Sequence, residues 1–383
     1  MTTTYPPTGT AAIAAVLIVL TGLAAGCGGD DGVSPTPAET MGQDLAVQAD
    51  TYTDTANPNQ AHGNDTVLNT GAGRTTYLKF SLAALDPDAV VTGLRLHLSQ
   101  TAATAAAAGT VTVEYLPDDG WTETDATANN PPAAPDGTLG SSDVDALAAG
   151  ATRDVVVTAA TGLDKISADW HHGNRVVSLR VTSSTALSFR SANHGLVDDE
   201  PRLEIEYARG HRLSLQPLAD AFVNHSSHDP QAPATGPYLV VSTSDYMTFL
   251  KFDLAGVPDG ARVHAAQLVL TARQGYAYGG DGNVYTRHVA DDSWTEATLS
   301  SANAPSAAAE HVGYWWLWYG SDPPVDKVGT NRTAQLRALV AAEAAGDDLL
   351  SLRLDSPGYW TSYYSRSEAE VAKRPRLEVL YTR

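Results

Sequence analysis

Residues 77–85 read YLKFSLAAL, and residues 249–257 read FLKFDLAGV. In each stretch every second side chain is apolar. Leu78, Phe80 and Leu82 alternate with Tyr77, Lys79 and Ser81, and Leu250, Phe252 and Leu254 hold the same places in the second stretch. A period of two is that of a β-strand with one buried face. The near-identity of the two stretches points further, to duplication of the chain. DGWTE at 119–123 returns as DSWTE at 292–296, and PRLEIEY at 201–207 returns as PRLEVLY at 375–381. Leu78 thus recurs as Leu250, Trp121 as Trp294 and Pro201 as Pro375, the spacing growing by one from anchor to anchor. Three anchors in the same order, with so small a drift, establish two homologous copies. The first spans residues 44–207 and the second 213–383, joined by a short linker, ARGHR, at 208–212.

The rest of each copy keeps the period of two. Leu94, Leu96 and Leu98 alternate with Arg95, His97 and Ser99; Val177, Leu179 and Val181 alternate with Ser178 and Arg180. Leu268 and Leu270, then Leu350, Leu352 and Leu354, repeat the scheme in the second copy. Short alternating runs punctuated by Gly, Pro, Asp, Ser and Thr predict an all-β chain of two tandem antiparallel β-sandwich domains of jelly-roll type. One short helix is expected in each copy, over 163–171 and 333–345.

Composition narrows the partners. With 44 Asp and Glu against 24 Lys and Arg the formal charge is −20. Such a surface repels phosphate backbones, and no basic stripe interleaved with aromatics is present, so no nucleic-acid partner is expected. Residues 1–27 carry a short apolar segment, AAIAAVLIVL at 11–20, which runs into LAAGC. Small residues directly before the sole cysteine, Cys27, resemble a bacterial lipobox, although residues 1–10 hold no Lys or Arg. Cys27 is therefore the expected lipidation site, and acyl chains contribute roughly 0.8 kcal/mol per buried CH₂. Residues 28–43, rich in Gly, Pro and Asp, read as a flexible tether. The expected location is the bacterial cell envelope, at the outer membrane or cell surface.

Several anchors carry a family resemblance. The LKF(S/D)L strand comes first. After it come a Trp-x-Glu motif with downstream Asn and Pro (Trp121, Glu123, Asn129, Pro131; Trp294, Glu296, Asn303, Pro305) and the closing PRLE strand. The opening strands QADTYTD at 48–54 and LADAFVN at 218–224 fit the same pattern. In this order, and in duplicate, they resemble the DNRLRE domain, which is related to the family 96 carbohydrate-binding modules. The resemblance spans nearly all of both copies. It implies β-sandwich modules of secreted and surface proteins, attached in many cases to polysaccharide-degrading enzymes, some of them binding alginate. A polyuronate calls for clustered Lys and Arg, and this acidic chain offers only Lys79 and Lys251 at matching outward positions, with Arg180 and Arg353 on another strand. The simpler reading of these cations is solvated residues of alternating strands.

No catalytic motif appears: there is no HExxH, GxSxG, Walker A or CxxC sequence. The duplicated Glu123 and Glu296 read more readily as acceptors for backbone N–H groups than as an acid and a base, and Trp121 and Trp294 as shared core. The chain is not expected to be an enzyme. No cofactor is required. A structural calcium ion would sit at Asp50 and Asp220, which begin matching strands, and is favoured over zinc at a histidine pair; local backbone N–H groups are the competing use of these carboxylates. His225 and His228 have the spacing of a metal pair but no equivalent in the first copy.

The second copy departs from the first in the run GYWWLWYGSDPP at 313–324, opposite the ring-free SSDVDA at 141–146. In a strand, Tyr314, Trp316 and Trp318 share one face, and Trp315, Leu317 and Tyr319 the other. One face can enter the core and leave the other as a stacking platform, which Tyr359, Trp360, Tyr363 and Tyr364 would extend if their segment lies near. Three readings follow in order: polysaccharide binding without catalysis; a structural or adhesive surface protein whose sandwiches are spacers or protein-binding modules; and an enzyme with an acidic cleft. Packing of the rings in a satellite core is the bland alternative.

Overall fold

A computed structural model describes residues 40–224, 238–242, 245–277, 283–316, 327–357 and 359–383. The chain divides into two compact units at Arg209/Gly210, with the short segment Ser167–Arg175 grouped with the second. Both are antiparallel, as the alternating pattern requires, and the described residues contain two α-helices.

In the first copy one long strand, Thr40–Asp54, organises the whole. It begins inside the stretch read as tether, because Thr40–Gln43 find ladder partners on the closing strand, Ile205–Ala208. Its first half pairs with Arg202–Arg209, and its second half pairs with Arg74–Ser81 after a register shift between Val47 and Ala49. The strand thus passes from one layer to the other through a bulge, a common corner device. One layer continues from Arg202–Arg209 to Ala89–Thr101, Leu187–Arg190 and Val67–Thr70. The other runs from Arg74–Ser81 through Val176–Ser183 and Gly109–Leu116 to Thr138–Val144. Leu78, Phe80, Leu96, Leu98, Val181 and Ile205 are fully buried, so the period-two positions form the core.

The expected linker is likewise mostly strand. Ala208 and Arg209 end one ladder, His211 and Arg212 begin the next, and only Gly210 lies between. The second copy breaks the long first strand in two, His211–Leu215 and Ala219–Asn224. Pro217 lies in the gap; it has no N–H to give to a ladder. One sheet orders His211–Leu215, Arg376–Thr382, Arg262–Ala277, Tyr359–Tyr364 and Tyr238–Val241, with Lys327–Asn331 on Arg262–Ala277. The other is five-stranded: Ala219–Asn224, Tyr246–Asp253, Leu349–Asp355, Asn283–Val289 and Gly313–Trp316. One core cluster takes Leu268, Leu270 and Leu377 from the first sheet and Leu250, Phe252 and Leu352 from the second, which makes the pair a sandwich.

The helices fall where the sequence places them. The first is Leu163–His171. The second is Ala334–Ala344, capped by Thr333, whose hydroxyl accepts from the Leu336 N–H at 3.0 Å. It buries Leu336, Val340 and Ala344. At roughly 1.5–3 kcal/mol for a fully buried Leu or Val, these contacts rather than helix propensity hold it in place.

Candidate functional site

In both copies the Trp-x-Glu loop covers part of the outer face of one layer, the one holding Arg74–Ser81 or Tyr246–Asp253. The covering is built in the same way each time. Trp121 lies against Tyr77, and Trp294 against Phe249, with ring centroids 6.3 and 5.9 Å apart. Each indole N–H donates at 3.0 Å to a buried serine, Ser178 in one copy and Ser351 in the other. Beneath the loop, the Lys79 ammonium donates to the carbonyls of Asp119 (2.8 Å) and Trp121 (2.6 Å), and sits 4.4 Å from the Trp121 ring centroid. Lys251 repeats this with Asp292 at 2.6 Å, the Trp294 carbonyl, and a ring 4.6 Å away. Burial holds both ammonium pKa values below the ordinary lysine range.

This corrects the expectation that Lys79 and Lys251 face outward to meet a ligand. Lys251 is only 6% exposed. Their strands do alternate, but the loop folds over the outer side, and the ammonium groups are held by loop carbonyls. Glu123 and Glu296 also match: each accepts from a strand N–H, that of Asp50 at 2.8 Å and that of Asp220 at 2.7 Å. Loop and first strand are thereby tied together.

Asp50 and Asp220 are themselves buried, and each accepts from a backbone N–H through Oδ2: Ala192 at 2.7 Å and Arg366 at 2.6 Å. Burial, reinforced by the neighbouring glutamates, pushes both carboxyl pKa values up to about 6. The copies differ next to them. Arg366 grips Glu296 with two hydrogen bonds, at 2.6 and 2.9 Å, whereas the first copy has Ala192 there. Asp220 thus stands beside a cation supplied by the protein, and Asp50 does not.

The five-stranded sheet of the second copy carries the aromatic residues. Gly313–Trp316 pairs with Asn283–Val289, placing Tyr314 opposite Tyr285. Tyr314 is 54% exposed, and Trp315, the next residue, is buried in the core, where its indole N–H donates to the Tyr363 hydroxyl at 3.0 Å. Tyr314, Tyr285 and His311 form a cluster with centroid separations of 5.9, 5.0 and 5.7 Å. Beside it, Asp355 pairs with Arg287 (3.0 Å) and Arg353 (2.7 Å). Two guanidinium groups and one carboxylate leave a local excess of one positive charge, in a chain whose formal charge is −20. The side chain of Trp316 and residue Trp318 lie outside the described residues, as do Cys27, His225, His228 and the side chain of Tyr359. Trp360, Tyr363 and Tyr364 do not extend this face, and Tyr363 is fully buried. Their segment is a strand of the opposite sheet, paired with Ala277 and Tyr276.

Sequence reasoning picked Tyr314 but passed over Tyr285, His311, Arg287 and Asp355. Tyr285 had a signal: in NVYTRHV it alternates with buried Val284 and Thr286. That it lies beside Tyr314 is a matter of strand register, which no local pattern carries.

The match to known proteins follows this geometry. The model of carbohydrate-binding module family 96 matches residues 42–207 and, again, residues 212–381. The chain belongs to carbohydrate-binding module family 96. Its two copies of the family 96 module thus account for nearly all the described residues. No curated protein matches the chain. Among solved structures, it is similar to the CBM22-1–CBM22-2 tandem of Paenibacillus barcinonensis Xyn10C, at 12% identity and a TM-score of 0.22, covering 91% of this chain and 99% of that one. BuGH86 in complex with neoagarooctaose is matched at 7% identity and a TM-score of 0.21, over 81% of this chain and 35% of that one. The N-terminal domain of the Streptococcus gordonii adhesin Sgo0707 is matched at 10% and 0.17, over 78% and 55% of the respective chains. Scores this low carry no argument about function, and the family 96 assignment rests on the family model.

Proposed function

We infer that this protein is a surface-anchored lipoprotein which binds polysaccharide without acting on it, and that the second module carries the binding face. The observation that supports this most is the exposed Tyr314–Tyr285–His311 cluster beside Arg287, Arg353 and Asp355. Aromatic faces stack on the C–H surfaces of pyranose rings, and a neighbouring row of guanidinium and carboxylate groups offers donors and acceptors to sugar hydroxyls. Two shallow cavities elsewhere, of about 300 and 280 Å³, have no Tyr, Trp or Phe in their lining.

A non-catalytic role agrees with the fate of the duplicated glutamates. Glu123 and Glu296 are engaged with strand N–H groups, and Glu296 also with Arg366, which is the use of carboxylates that tie the loop to the strand. Anchoring through Cys27 rests on the lipobox-like LAAGC at 23–27, and it would hold the modules outside the cell. Retention of the full chain on a panel of insoluble and immobilised polysaccharides tests the binding. Retention that is lost in Tyr314→Ala supports the reading; no retention on any glycan, or retention unchanged in Tyr314→Ala and Tyr285→Ala, overturns it. Metabolic labelling with a fatty acid, compared between wild type and Cys27→Ser, tests the anchor.

A further inference from the structure

One surface turn keeps its backbone in both modules while its charge is inverted. Residues 196–202 read LVDDEPR and the equivalent 370–376 read EVAKRPR, aligned through Pro201 and Pro375. Val197–Asp199 and Val371–Lys373 are each a single turn of 3₁₀ helix, closed by the N–H of Glu200 on the Val197 carbonyl and of Arg374 on the Val371 carbonyl. The closing residues have nearly the same dihedrals, φ −67° and ψ 152° against φ −63° and ψ 149°. On this common frame the first module places three acids and one arginine, and the second one acid, a lysine and two arginines. Equivalent positions thus carry a formal −2 in one module and +2 in the other.

Local pairing does not cancel this contrast. In the first module Asp199 is taken by Arg190, and Arg202 by Asp44, but Asp198 and Glu200 have no cationic partner among the described residues. In the second, Lys373 pairs with Glu370 at 2.9 Å, and Arg376 shares the one carboxylate of Glu378 with Arg212. Arg374 bonds to neutral groups, the Glu368 carbonyl at 2.6 Å and Gln216 at 3.4 Å. Each turn also presents an aliphatic side chain at the same point. Val197 is 79% exposed and Val371 58%, with Leu196 open beside Val197. Both turns stand at strand ends away from Gly210: one precedes Arg202–Arg209, and the other precedes Arg376–Thr382, where Leu377 lies opposite Leu215 and Tyr381 opposite His211. The joint between the modules therefore covers neither.

We propose that these turns are an interface between copies of this chain, the acidic turn of one copy docking on the basic turn of the next. Because the turns share a backbone, they meet as equivalent surfaces meet across a two-fold axis, valine against valine. Asp198 and Glu200 then face Lys373 and Arg374. Two acidic turns, or two basic ones, would bring like charges together in the same contact, so the inversion selects first module against second. Each contact leaves one acidic and one basic turn unused, and association runs head to tail. The mutual repulsion of chains that each carry −20 is short-ranged at physiological salt, where the Debye length is about 8 Å, while pairs inside the docked turns are screened less.

Sedimentation velocity on the full chain, at physiological salt and at concentrations up to about 100 µM, tests this. The expected result is an average mass that rises with concentration and falls back near 1 M salt, where the Debye length shrinks to about 3 Å. The double reversal Asp198→Lys with Glu200→Lys weakens association by about tenfold or more, and so does Lys373→Glu with Arg374→Glu. An equimolar mixture of the two reversed chains associates again, because the acidic first module of one meets the basic second module of the other. Circular dichroism checks the fold. If a double reversal does not fold, Val197→Arg, at a side chain largely in solvent, replaces it and weakens association likewise. A wild-type chain that stays monomeric, association that survives the substitutions, or a mixture of reversed chains that stays monomeric overturns the proposal. Association through the apolar segment at 11–20 would survive them all and so counts against it.

Discussion

The outer strand faces of the two modules are the same surface with different side chains. In the first module the strand row reads Ser141, Thr112, Thr182, set by the pairing of Thr112 with both neighbours. In the second, the row in the same register reads Tyr314, Tyr285, Asp355. One row further along, Glu114 facing Arg180 becomes Arg287 facing Arg353. What stays constant is the framework: Lys, Trp, Glu and Asp holding the loop to the sheet. On this face, residues that repeat in both copies are those the fold consumes, and the residues that differ are the ones the proposed reading assigns to a ligand. Duplication thus acts as an internal control, separating support from recognition within one chain.

The comparison can be broken most forcefully at the framework. Trp121→Ala and Trp294→Ala should each destabilise their own module by about 3–5 kcal/mol, since each removes a buried indole and the partner of a buried serine. Chemical denaturation checks this, and a cost confined to one of the two would show that the frameworks are not equivalent. The buried aspartates come next. Their folded pKa of about 6 lies above the ordinary 3.8, so the folded chain retains the proton longer. The stabilisation this gives is complete below about pH 4 and is lost as the pH rises through 6. By linkage this amounts to on the order of 3 kcal/mol per group by pH 7. Asp50→Asn and Asp220→Asn should flatten that part of the stability profile, measured by denaturation with chelator present.

Smaller effects sharpen the contrast. Tyr314→Ala and Tyr285→Ala should each weaken glycan binding by roughly tenfold, the weight of one aromatic anchor, with the melting temperature nearly unchanged. The double graft Thr112→Tyr with Ser141→Tyr should add binding to the first module, read as a raised stoichiometry in calorimetry. The helix cap gives the least. Thr333→Ala should cost about 1 kcal/mol in denaturation, and the first module, with Gly162 at φ +73° before its helix, has no hydroxyl there to lose.

The fold was largely legible because its signals are local or repeated. Leu78, Phe80 and Leu82 announce a half-buried strand in one short run, and the recurrence of Trp121 as Trp294 fixes the copy number without any contact being known. The helix over 163–171 follows from a change of period. The candidate site was only half legible. Tyr314 and Trp315 go opposite ways, as adjacent residues in a strand must, so the split of rings between surface and core was readable. Lys79 and Lys251 misled, because alternation tells which side of a sheet a residue takes but cannot tell that a later loop will fold across that side. Tyr285 and Asp355 are joined to Tyr314 by register alone, across long stretches of intervening chain.

The long first strand has a mechanical consequence. Thr40 lies opposite Ala208, so the chain enters and leaves the first module at the same end of one antiparallel ladder. A pull applied at Thr40 and Arg209 does not shear that ladder; it opens it like a zipper, loading one pair of hydrogen bonds at a time, from Thr40–Ala208 towards Ala46–Arg202. The register shift at Val47 and the second ladder, on Arg74–Ser81, then meet the advancing fork from a different direction. The first module should therefore yield to tension in two steps, a weak peeling followed by a stronger stop, so that a load reaching it through either neighbouring segment is met first by extension and only then by resistance.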